Sequence, residues 1–250
     1  MDPVAVSLIV FVIVFGGALL GMFLRTKLPE HHLNADSRSV VTLGIGLVGT
    51  MAALVLGLLI SSAKGYYDTQ NNEITQMSAN VILLDRVLAH YGPEATEVRT
   101  VLRETVARLL DQMWSKNGVR VAPSSNLSGT ESLYDKIQSL TPKDDAHLAM
   151  KSHALGIVVG LGSGRLLMYE QNVNSISSPL LVILVFWLTI IFISFGVFTT
   201  ANATTVTSLC VSALSVSSAI LLILELYNPY RGLIQVSSAP VRAALGRLGQ

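Results

Sequence analysis

Apolar residues fall into four long uncharged runs, and one of these leads into a polar stretch that keeps a regular apolar spacing. Val40 to Ala63 (VVTLGIGLVGTMAALVLGLLISSA) is 24 residues without a charge, enough to cross a hydrocarbon layer of about 30 Å. No proline follows until Pro93, so nothing stops the helix at Lys64. Further on, Ile74, Met77, Val81, Leu84, Leu88 and Tyr91 are spaced 3, 4, 3, 4, 3. That is the seam of a helix lying along other helices. The pattern predicts one rod from Val40 to Tyr91, roughly 78 Å long, half in lipid and half in water. Its seam should pack partly on the chain's own next helix and otherwise on neighbouring subunits.

The other spans are Val4 to Leu24, Leu180 to Phe198 and Val206 to Leu226. The first lacks a basic leader and a small-x-small cleavage site, so it reads as a retained helix and not as a signal peptide. RTKLPEHHLNADSRS joins the first two spans as a polar hairpin loop, and Ser178-Pro179 is a good start for the third. The predicted fold is an all-α membrane protein of four transmembrane helices, with a large helical aqueous insert between the second and third. The expected divisions are residues 1–63, a first hairpin; 64–178, the insert; 179–226, a second hairpin; and 227–250, a tail.

Inside the insert, Val98, Val101, Leu102, Thr105, Leu109 and Met113 trace one helix face after the Gly92-Pro93 break. Val119 to Gly129 reads as a loop, followed by a short helix around Leu133, Ile137 and Leu140. A last helix starts near Thr141-Pro142, with Asp144 and Asp145 in its first turn. Gly160, Gly162 and Gly164 should loosen it or pack closely.

Composition agrees with the pattern. The 250 residues have a mean hydropathy of +0.56, and only 13% are charged. A soluble domain carries about 25%, so this is a membrane protein whose first partner is the lipid bilayer. A net charge of +1 argues against a nucleic-acid partner. Cys210 is the only cysteine, which leaves no disulfide framework and no cysteine-based metal site. No cofactor is expected. Lys64, Arg165, Arg231, Arg242 and Arg247 outnumber Arg25, Lys27 and Arg38 near membrane ends. That count places both termini and the insert in the cytoplasm, and the chain in the cell (inner) membrane.

Candidate chemistry is sparse. Gly44-x-Gly46-x-x-Gly49 mimics a dinucleotide fingerprint but lies inside a span, with no strand before it. Asp144, Asp145 and His147 lack a metal-site spacing, and no nucleophile elbow is present, so the chain is not read as an enzyme. Gly49, Ala53 and Gly57 recur every four residues; tight helix packing is the first reading, and a narrow pore wall the alternative. A stripe of Thr204, Ser208, Ser212, Ser215 and Ala219 also reads as packing. Glu225, near the end of the last span, should pair with Arg231.

Asp36-x-Arg38, the run AALVLGLL (Ala52 to Leu59) and LDRVLAHYGPEA (Leu84 to Ala95), with Arg99, Trp187, Phe195 and Asn202, resemble the bestrophin-like DUF4239 family of membrane proteins. The resemblance implies a distant likeness to bestrophins, oligomeric ion channels whose second helix lines the pore. It implies a homo-oligomer with Gly46, Gly49, Thr50, Ala53, Leu56, Gly57, Ile60 and Ser61 along the wall. Arg38 would stand at one mouth, and Asp68 and Glu73 at the other. Inorganic ions would then be the substrate, with a slight lean to monovalent cations. A non-conducting scaffold or sensor whose helices bind a protein partner is the other reading.

Overall fold

The computed structural model describes residues 2–29, 35–114, 123–173, 178–230 and 232–250, and every regular element among them is helical. In order these are α1 (Pro3–Lys27), α2 (Ala35–Tyr91), a 3₁₀ turn (Pro93–Ala95), α3 (Thr96–Met113) and α4 (Pro123–Gln138). They are followed by α5 (Asp145–Val173), α6 (Ser178–Phe198), α7 (Ala203–Leu226) and α8 (Ala239–Arg247). Four of them, α1, α2, α6 and α7, are long and apolar enough to cross a membrane. Two compact units share the chain. The first is Met1–Tyr66, Ile176–Asn228 and Gly232–Ile234; the second is Tyr67–Ser175, Pro229–Arg231 and Gln235–Gln250.

In the first unit, α1 packs along α6 and α7. Asp2 starts it by accepting the Val4 backbone N–H at 3.1 Å, with Pro3 at the first position. The buried stripe of α1 contains Ser7, Val10, Val14, Gly17 and Gly21, a 3, 4, 3, 4 spacing. Glycine is required where α1 meets α6. A Cβ on Gly21 would stand 2.1 Å from the Ile193 carbonyl oxygen, and one on Gly196 equally close to that of Ala18. Backbones touch there, the contact that small residues permit in lipid. Against α7 the join is polar. Ser7 Oγ donates to the Ser217 carbonyl at 2.9 Å, and Ser217 Oγ donates to that of Ser7 at 2.6 Å. Both serines are buried, and this reciprocal pairing leaves neither hydroxyl unsatisfied in an apolar setting. Asn202 caps α7 by accepting the Thr205 N–H at 2.8 Å.

The second unit is built around the α2 seam. Gly92, at φ 112°, and Pro93 end that helix. Val98, Leu102, Val106 and Leu109 of α3, Leu133 and Ile137 of α4, and Ala154 and Val158 of α5 join one buried cluster. Lys136 pairs with Glu97 and Lys143 with Glu94. Lys151 Nζ donates to the carbonyls of Gln138 and Leu140 at 2.7 and 2.9 Å, closing the end of α4. Asp144 caps α5 by accepting the His147 N–H at 2.8 Å. That bond is the main reason its carboxyl sits below the usual carboxylate range, with the His147 side chain helping.

Three expectations change here. The loop foreseen from Val119 to Gly129 is helical from Pro123 onward, while residues 119–122 lie outside the described residues. Proline suits a first helical turn, and Gly129, read as turn chemistry, is a packing position: a Cβ there would lie 3.0 Å from Thr105 Cγ2. Helix α5 runs unbroken through Gly160, Gly162 and Gly164, so it is not loosened there, and the close-packing alternative holds at Gly162, where a Cβ would touch Thr130 Cγ2 of α4 at 3.4 Å. The supposed tail is also part of the second unit's core. Val236, Val241, Ala244 and Leu248 are buried in its cluster, and Trp114 Nε1 donates to the Val236 carbonyl at 2.9 Å.

Candidate functional site

In its membrane part, α2 is the span least covered by its own chain. Only 11% of its most apolar 18-residue stretch is buried, against 33% for α1, 28% for α6 and 39% for α7. Ala52, Leu59 and Ala63 form the buried edge. At about 100° per residue, the exposed remainder divides into two sectors. Gly46, Thr50, Ala53, Gly57 and Ser61 fall on one, all small or hydroxylated. Leu43, Leu47, Met51, Leu54 and Leu58 fall on the next, all large, apolar and exposed, as a lipid-facing surface would be. Gly49, Leu56 and Ile60 are half-buried between the small sector and the buried edge.

Among the described residues, nothing packs closely against the glycines of this face. A Cβ added at Gly44, Gly46, Gly49 or Gly57 would meet nothing within 4 Å. Among the described residues, tight packing, the first reading of the 49, 53, 57 spacing, is therefore absent at Gly49 and Gly57 and is found instead at Gly17, Gly21 and Gly196. Thr50 Oγ1 donates back to the Leu47 carbonyl at 2.7 Å, so its hydroxyl is satisfied without a neighbour. The stripe on α7 behaves in the same way: Ser215 Oγ bonds to the Val211 carbonyl at 3.0 Å and remains exposed.

Of the residues expected at the mouths, Arg38 is exposed in the first unit, while Asp68 and Glu73 are half-buried in the second. The seam expected to meet other subunits is occupied by the chain itself. Ile74 and Leu84 are 0% exposed and Leu88 1%, which leaves them no face for a neighbour. Met77, Val81 and Tyr91 lie in the same cluster.

At two charged sites the structure supplies partners that the sequence did not. Asp85 and Arg99 lie 14 positions apart across the Gly92-Pro93 break, on α2 and α3. Arg99 Nε donates to Asp85 Oδ1 at 2.7 Å and Nη2 to Oδ2 at 3.0 Å, a bidentate pair with Asp85 buried. The carboxylate holds the Arg99 guanidinium above its ordinary pKa, partly offset by burial. Both residues belong to the blocks that carry the family resemblance. Glu225 is buried, and its Oε2 accepts the Leu233 backbone N–H at 2.6 Å. Gly232, at φ 98°, lets the turn wrap that carboxylate: a Cβ there would come within 2.1 Å of Oε2. The expected partner Arg231 lies outside the described residues.

Comparison with curated proteins finds no match. A crystal structure of a bacterial bestrophin homolog from Klebsiella pneumoniae, in a point-mutant form, is similar to this chain at a TM-score of 0.67. The likeness covers 96% of this chain and 97% of that one at 14% identity, so it speaks for the fold alone. That fold is all-helical with four long apolar helices, the architecture of an integral membrane protein. Residues 12–241 match the Bestrophin-like domain, which is most of the sequence. The chain therefore belongs to the Bestrophin-like family.

Proposed function

We propose that the chain assembles into an oligomeric, channel-like conduit in the cell membrane, with its α2 helices surrounding the path. The observation that carries this reading is the open small-residue sector of α2, set apart from the large apolar sector beside it. A helix facing lipid alone has no need of two such sectors. The wall would alternate Gly46, Gly49, Ala53 and Gly57 with Thr50 and Ser61, while Leu56 and Ile60 narrow it. No charge lies between Val40 and Ala63, so selectivity would come from width, hydroxyls, backbone dipoles and the mouths. An apolar constriction gates by dewetting, so the resting path can close without a plug. Acidic rings from Asp68 and Glu73 would bias one mouth towards monovalent cations, and Arg38 would oppose that at the other.

Ion flux into liposomes holding the purified protein tests the reading. Ala53 is exposed on the small sector, so Ala53→Ser should raise flux by easing wetting, and Ala53→Leu should lower it. Mass measurement in detergent accompanies the assay. If all three proteins match empty liposomes across voltage and pH while remaining assembled, the channel gives way to a non-conducting scaffold. A monomeric wild type would remove both the axis and the path.

A further inference from the structure

We draw no further inference here: the strongest candidate, the outer face of α5 in the second unit, where Val159, Leu166 and Leu167 are exposed and a Cβ on Gly156 or Gly160 would meet nothing within 4 Å, is an unpartnered apolar face, and nothing in the structure shows what covers it.

Discussion

At Gly196 the Ala18 carbonyl leaves no room for a methyl group, whereas at Gly46 a methyl group would meet nothing within 4 Å. The two positions should therefore respond oppositely to alanine. Gly196→Ala forces two helix backbones apart and should lose about 3 kcal/mol of stability, the upper range for overpacking. Gly46→Ala relieves helix-interior glycine entropy and should leave stability unchanged or raise it by about 0.5–1 kcal/mol. Resistance to unfolding by a denaturing detergent, followed by circular dichroism, measures both; equal losses would show that α2 is as tightly packed as α1. The sequence could not separate the two cases. Gly17-xxx-Gly21 and Gly49-xxx-Ala53-xxx-Gly57 share one spacing, which states that close approach is possible and not which helix uses it. Asn202 is similar: it lies in an Asn-x-Thr match, yet its side chain is occupied as the α7 cap. Asp85 and Arg99 were both named in the family resemblance, but their pairing crosses a helix break that no periodicity spans.

Helix α2 shows the same division at the next scale. Its period was legible, because a 3, 4, 3, 4, 3 spacing has one face whatever it meets. Its partner was not, because an apolar seam accepts α3, α5, the terminal segment or another subunit with equal chemistry. The terminal segment was hardest to foresee: a nine-residue α8 and two short turns carry little periodic signal, yet Val236, Val241, Ala244 and Leu248 are all buried. The Pro123–Gln138 helix escaped for a different reason. Its serines and glycine favour turns locally, and packing of Leu133 and Ile137 overrides them. Since Leu84 is fully buried within its own unit, Leu84→Glu should unfold that unit and not merely separate subunits. Placing an unpaired carboxylate there costs at least several kcal/mol, as much as a domain's stability. Hydrogen exchange read by mass spectrometry should show protection lost throughout α3, α5 and α8. An oligomer that falls apart into subunits with full protection would restore the seam to the subunit interface.

For the whole molecule, the second unit restricts how the chain threads a membrane. That unit contains both Tyr67–Ser175 and Gln235–Gln250, and α6 and α7 lie between them in sequence. If the core these segments share stands in water, they emerge on one face, and α6 and α7 are expected to cross the bilayer an even number of times between them. With two apolar helices of membrane length, the expected number is two. By the same count, α1 and α2 should return the chain to its starting side. Which side that is rests on the basic residues near membrane ends, which favour the cytoplasm for the insert and the terminal segment. In a Cys210→Ser background, exposed positions can be read one at a time: Glu131 on α4, Arg247 on α8, and Ala201 between α6 and α7. Ala201→Cys should react with an impermeant maleimide in intact cells. Glu131→Cys and Arg247→Cys should react only after permeabilisation. Labelling of Glu131→Cys and Arg247→Cys in intact cells, with Ala201→Cys protected, would invert the orientation and keep the threading. Glu131→Cys and Arg247→Cys reporting opposite sides would break the threading itself, because α8 could then no longer share a core with α3.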